Sequence, residues 1–342
     1  MFCKIFSVRI FAIIHPVFQR GGVSVYMVTI KDVAKRADVS VATVSRVIRG
    51  IGYISEDAKR KVLEASDELG YVANASAQKL KNKNLETVGF IISDINNPYY
   101  FGIAAALQRF FAEKGVELIL AFSSENPVDE DRSFRYLISS NVSAILFTPT
   151  NKENLNVINI AKQNGIKVVQ MFRKIYDNLD TIINDDENGC FEAGRYLIDS
   201  GYKRILLLDV DYPYIGYEQV VPSREQGLLK IIDGNDVQAR VEHLNLLGGN
   251  TEQIRVAVEE FAPDAIISAT SNFGVEVLEY LKKTGKNVKL VTFDDNKWFE
   301  LCGITAIRQN DDNLSETAFE MINGDNAEPR AIVLKQTLIC RN

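Results

Sequence analysis

Histidine is nearly missing from this chain. His15 and His243 are the only two in 342 residues, so catalysis built on imidazole has almost nothing to work with. Cysteine is sparse and scattered. Cys3, Cys190, Cys302 and Cys340 show no metal-ligand spacing and read as free thiols of a reducing cytosol. No apolar run reaches the roughly 18 residues a membrane-spanning helix needs. Also lacking are a Gly-x-Ser-x-Gly elbow, a phosphate loop, a His-Glu-x-x-His pair and a dinucleotide glycine fingerprint. Together these absences argue against an enzyme, and no catalytic residue, metal or cofactor is expected.

What is present is an ordinary soluble balance, 46% hydrophobic and 25% charged. The length predicts two or three domains. The net charge of -6 is unevenly spread. Residues 27–84 carry +4, residues 1–26 carry +3, and the remainder carries -13. A basic head on an acidic body suits a protein whose head alone meets phosphate. Residues 1–26 are apolar and slightly basic, but Arg9 and His15-Pro16 interrupt them and no small-residue cleavage site follows. We read this stretch as a mis-called start, with Met27 the natural one, or else as a disordered extension.

Residues 29–50 read as two short helices and a turn. Thr29 is placed to cap the first, with Asp32 three residues on. Ile30, Val33, Ala34 and Ala37 form its apolar stripe. Asp38-Val39-Ser40 is the turn, and Ser40 is placed to cap the second helix. There Val44, Val47 and Ile48 face inward, leaving Val41, Ala42, Ser45, Arg46 and Arg49 outside. A third helix follows Ser55, with Val62, Leu63, Ala65 and Leu69 on its apolar side and Gly70 ending it. Small, hydroxyl and arginine side chains on one exposed helix face are what the DNA major groove accepts. Alone, the pattern equally fits a small helical bundle with a polar surface.

The next segment decides between them. Residues 71–82 form a short helix-competent linker in which Asn74 is a good cap and Leu80 stands apolar among polar neighbours. With Asp32-Val33-Ala34, Val39-Ser40-x-Ala42-Thr43-Val44-Ser45-Arg46-Val47 and Gly70-Tyr71-x-x-Asn74-Ala75 to Leu80, the chain resembles the LacI/GalR family of bacterial repressors from Met27 to the C-terminus. Where the family usually has proline, this chain has Ala73. The resemblance implies a helix-turn-helix domain (27–73), a hinge helix and linker (74–86), and a two-lobed effector-binding and dimerisation domain (87–342).

From Thr87 onward the periodicity alternates. Strands are expected at 87–94, 116–122, 143–148, 167–171, 203–209, 264–268 and 288–293. Helices are expected at 98–114, 129–140, 152–164, 187–200, 223–232, 251–261, 273–284 and 313–323. Such alternation means parallel sheets covered on both faces, and its length exceeds one comfortable core, so two lobes are expected. The fold class is thus a small all-α helix-turn-helix domain plus an α/β two-lobed domain, which the resemblance makes periplasmic-binding-protein-like. The chain would cross between lobes near Asp185, near Thr305 to Arg308 and near Gly324 to Glu328. The N-lobe would take about 87–184 and 308–325, and the C-lobe about 185–307 and 326–342.

The resemblance also implies site residues. For DNA these are Thr29, Val41, Ala42, Thr43, Ser45, Arg46, Arg49, Asn74 and Leu80. Arg46 would read guanine, and Val41 and Ala42 would touch bases through apolar contacts. Thr43 and Ser45 would hold phosphate, and Leu80 would wedge into the minor groove. For the effector they are Asn97, Tyr99 and Tyr100 after the first strand, Arg224, Asp294, and Ser271 with Asn272. The last two stand where many relatives carry aspartate, which would ease the approach of an anionic ligand. The stretches 293–298 and 303–309 also resemble regulators of ketodeoxygluconate and related sugar-acid catabolism. A cytoplasmic homodimer on a near-palindromic operator, controlled by a sugar or sugar acid, is the implied function. The alternative is a solute-binding or sensor protein of the same fold without specific operator binding.

Overall fold

The computed structural model describes residues 28–49, 52–71, 87–211, 220–246, 248–324 and 328–341. The chain divides into two units near residue 82. Asn74 and Leu80, and residues 1–27, lie outside the described residues.

The first unit is three helices: α1 (Ile30–Arg36), α2 (Val41–Arg49) and α3 (Glu56–Leu69). Their starts are locally encoded. The Asp32 carboxylate accepts from both the backbone N–H (2.8 Å) and the hydroxyl (2.7 Å) of Thr29, which holds that carboxyl below its usual range. Ser40 Oγ accepts from the Thr43 N–H at 3.0 Å and caps α2. Gly70 ends α3 in the left-handed region at φ 62°. Val33, Val44, Val47, Val62 and Ala65 close a small core. Leu63, expected in that core, is half exposed instead, because it lies one residue past the α3 face that buries Val62 and Ala65.

The second unit holds two six-stranded sheets. The N-lobe sheet has the order β11-β5-β4-β3-β1-β2, from β1 (Thr87–Ile92), β2 (Glu117–Phe122), β3 (Ala144–Phe147), β4 (Lys167–Met171), β5 (Asp180–Asn184) and β11 (Ala331–Leu334). All its pairings are parallel. It is covered by α4 (Pro98–Glu113), α5 (Pro127–Ser139), α6 (Leu155–Gln163) and α12 (Asp311–Asn323). The C-lobe sheet has the order β12-β10-β9-β8-β6-β7. Its strands are β6 (Arg204–Asp211), β7 (Gln238–Asn245), β8 (Ala265–Ser268), β9 (Lys289–Phe293), β10 (Thr305–Arg308) and β12 (Thr337–Ile339), and only β10 with β12 is antiparallel. Around it lie α7 (Asp186–Asp199), α8 (Val220–Ile232), α9 (Thr251–Phe261), α10 (Ser271–Thr284) and the short α11 (Lys297–Leu301). Buried side chains on both faces of each sheet form separate cores, as a parallel sheet requires. Helices α7 and α8 pack so closely that a Cβ at Gly227 would collide with the Glu187 carbonyl oxygen.

Six elements escaped the periodicity: β5, β7, β10, β11, β12 and α11. Strand β7 is a half-exposed edge in which polar residues interrupt Ala239, Val241 and Leu244, and the last three strands are only three or four residues long. One expectation is corrected. The last lobe crossing lies at Lys335 and Gln336, not at Gly324 to Glu328, because β11 pairs in parallel with β5 and so belongs to the N-lobe. Thr305 to Arg308, read as a crossing, is itself strand β10, and the chain leaves the C-lobe just after it.

The three crossings are tied together. Gln336 Nε2 donates to Asp186 Oδ1 in the first at 2.7 Å and to Gln309 Oε1 in the second at 2.8 Å. The Asp185 N–H donates to the Leu334 carbonyl at 2.9 Å.

Candidate functional site

In the first unit, α2 separates its faces as its residue types dictate. Val44 and Val47 are buried, while Val41, Ala42 and Arg46 are exposed. Ser45 and Thr43 are half-buried, and the Thr43 hydroxyl meets Ser40 Oγ at 2.8 Å. Thr29 is exposed at the start of α1. The Arg49 side chain is not among those described.

In the second unit, loops at the carboxyl ends of both sheets enclose a cleft of about 560 Å³, counting its open mouth. Its enclosed free space is only about 60 Å³, and its position is where ligands bind in open α/β sheets. Asn97, Tyr99, Tyr100, Arg224 and Asp294 all line it, brought together from three segments of the chain. Asn97 caps α4 by accepting from the Tyr99 N–H at 3.0 Å. This fixes the helix start and delivers both tyrosines to the cleft wall. Their rings pack with Phe172, whose centroid is 5.4 Å from Tyr99 and 5.7 Å from Tyr100. Phe172 holds φ 67° and Asp294 φ 63°. Non-glycine residues there cost about 1–3 kcal/mol each and cluster at functional sites.

The C-lobe wall is ionic. Arg224 reaches Asp186 Oδ2 at 3.0 Å and Asp209 Oδ1 at 3.5 Å, with its guanidinium 4.7 Å from the centre of the Phe293 ring. Asp294 accepts from the Ser271 N–H and from Gln309 Nε2, each at 3.4 Å. Burial pushes Asp209 and Asp294 up to about 6, against the pull of Arg224. Asp186 is raised by burial too.

Ser271 and Asn272 behave differently from expectation. Neither lines the cleft. Ser271 opens α10, and its hydroxyl donates across to Asn97 Oδ1 of the N-lobe at 3.0 Å. Asn272 Nδ2 approaches Asp94 Oδ2 at 3.5 Å. These side chains bridge the lobes and so are not placed to ease the approach of an anionic ligand.

Other lining residues were missed, among them Glu125, Phe172, Arg173, Asn184, Asp186 and Gln309. Arg173 left a signal: an arginine just past the carboxyl end of a buried apolar strand has only the cleft to face. Glu125 left none, since its partner Arg173 is 48 residues away.

Behind the N-lobe wall, Glu130 is fully buried. It accepts from the Thr150 N–H at 2.7 Å and from Asn154 Nδ2 at 2.8 Å, anchoring the loop after β3. Burial pushes its carboxyl up to about 7. The folded state therefore binds protons on Glu130, Asp209 and Asp294 at pH values where the unfolded chain does not. Stability should rise as pH falls from about 8 towards 5. Thermal melts across that window check this, and Glu130→Gln should flatten the slope. An unchanged slope in the variant would exclude Glu130 as a contributor.

A three-helix unit with an exposed arginine-bearing second helix, joined to a two-lobed α/β domain with a cleft between its sheets, defines a ligand-sensing DNA-binding protein. The chain belongs to the LacI family. Residues 29–74 match the model of the bacterial regulatory proteins of the lacI family. Residues 85–290 match that of the periplasmic binding proteins and sugar-binding domain of the same family. The HTH-type transcriptional regulator KdgR of Bacillus subtilis (strain 168) is 26% identical over 92% of this chain and 96% of its own length. Catabolite control protein A of Staphylococcus xylosus is 30% identical over 80% of this chain and 84% of its own. The structure of the Lac repressor bound to ONPG in the repressed state shares the fold, with a TM-score of 0.72 at 22% identity. It covers 92% of this chain and 98% of its own. Among the described residues no helix is long and apolar enough to cross a membrane.

Proposed function

We propose that the chain represses a carbohydrate-utilisation operon from the cytoplasm. It binds a near-palindromic operator as a homodimer, and a small sugar in the cleft sets its grip on DNA. The observation that carries this reading is the exposed trio Val41, Ala42 and Arg46 on a capped helix, in a chain whose larger unit holds a cleft lined by aromatic and carboxylate groups. Leu80 and Asn74, which lie outside the described residues, are assigned to the DNA contact, with Leu80 as the minor-groove wedge. Asn97, Tyr99, Arg224 and Asp294 hold the effector. Tyrosine rings stack on a sugar face, and carboxylates accept from its hydroxyls. Ligand occupancy changes the angle between lobes and so the spacing of the two hinges.

No catalytic role is assigned. His243, the single described histidine, is held by Glu225 at 2.8 Å and does not line the cleft. The test is selection of duplexes from a random pool by the full-length protein, followed by binding at two salt concentrations. Recovery of an inverted repeat bound far more tightly than random competitor is expected. If no inverted repeat is enriched, with or without sugars, the proposal fails.

A further inference from the structure

We propose that Glu125 determines the ligand charge this cleft accepts: by occupying the Arg173 guanidinium it makes the site select uncharged sugars over their acidic counterparts. The inference rests on the reading of the cleft as the effector site. Arg173 and Glu125 form a two-pronged pair, Nη1 to Oε2 at 2.7 Å and Nη2 to Oε1 at 2.6 Å, with both side chains almost fully buried. Arg173 Nη1 also donates to the Pro149 carbonyl at 3.0 Å.

Glu125 is held in place by a costly backbone. Ser124 and Glu125 both sit in the left-handed region, at φ 51° and 52°. The Glu125 N–H is tied to the Ser93 carbonyl at 2.8 Å. Two successive non-glycine residues in that region persist only where the surroundings fix them.

The other cation of the wall, Arg224, is likewise engaged, by Asp186 and Asp209. Four carboxylates line the cleft (Asp94, Glu125, Asp186 and Asp294) against these two guanidiniums. An entering anion would have to displace a buried carboxylate from its partner, and a buried charge left without one is strongly unfavourable. A hydroxyl-rich neutral molecule needs no displacement. It donates to Asp94 and Asp294 and lays an apolar face on the aromatic wall. The same logic makes Glu125 the gate. With its charge removed, Arg173 becomes a matched site for a carboxylate.

Titration calorimetry on the full-length protein and on Glu125→Gln tests this with matched pairs: D-glucose and D-glucuronate, D-galactose and D-galacturonate, D-glucose and D-glucose 6-phosphate. The native protein should bind the neutral member of at least one pair, and its acidic counterpart at least about tenfold more weakly. In Glu125→Gln the acid-to-neutral affinity ratio should rise by at least about tenfold, the effect of one charge-assisted hydrogen bond. Preference of the native protein for the acid, or an unchanged ratio in the variant, overturns the inference. Should that variant fail to fold, Glu125→Ala, which also removes the charge, is read by the same acid-to-neutral ratio. Silence of every compound with both proteins would instead sink the sugar-cleft reading, and the inference with it.

Discussion

Arg46→Ala should abolish most of the discrimination between operator and scrambled DNA while leaving non-specific retention nearly intact. The guanidinium is exposed on α2, and its neighbours Val41 and Ala42 carry no polar atom beyond the backbone. In the proposed complex, hydrogen-bonded base reading from this face would therefore fall mainly on one residue. A two-pronged arginine–guanine contact contributes about 1–3 kcal/mol per half-site, so a two-fold complex should lose on the order of a hundredfold or more in specific affinity. Phosphate contacts supply the salt-dependent remainder. Fluorescence anisotropy with the selected operator and a scrambled duplex, at two ionic strengths, separates these contributions. An equal loss on both duplexes would reassign Arg46 to the phosphate backbone. No loss on either would remove it from the interface.

The second large effect concerns stability. Arg173→Met strands the Glu125 carboxylate inside the cleft wall, where its side chain is only 6% exposed. Removing one partner of a buried pair costs about 3–5 kcal/mol, which for a unit of this size lowers the melting temperature by on the order of 10 °C. The double variant Arg173→Met/Glu125→Leu should regain most of that loss, since two apolar groups leave no buried charge. If the single variant melts within a degree or two of the native protein, the pair is far better solvated than its geometry indicates. If the double variant is no better than the single, packing rather than charge dominates.

Much of this was legible in the sequence, for identifiable reasons. The helix starts were readable because their determinants are local. Thr29 with Asp32, Ser40 with Thr43, and Asn97 with Tyr99 are all partners within three residues. The central strands were readable because burial on both faces writes continuous apolar runs. Strands at the edges and at the chain's end were not. Strand β11 is placed by pairing with β5, about 150 residues earlier, and four residues carry no period of their own. The cleft divides in the same way. Asn97, Tyr99, Arg224 and Asp294 stand in motifs, whereas Glu125 matters only through Arg173. Ser271 and Asn272 show the opposite error. A residue at the right place in a loop can still aim its side chain at the facing lobe.

The amide of Gln336 gives the protein a mechanical character. Three separate strands of chain would let the halves shear, twist and open independently. One side chain hydrogen-bonded to the other two passages couples them as a clasp, so a shift at any crossing is felt at the other two. The clasp also touches the cleft, because Asp186 meets Arg224 and Gln309 meets Asp294. A molecule lodged between those groups would therefore touch the direct partners of the clasp, one hydrogen bond away from all three crossings.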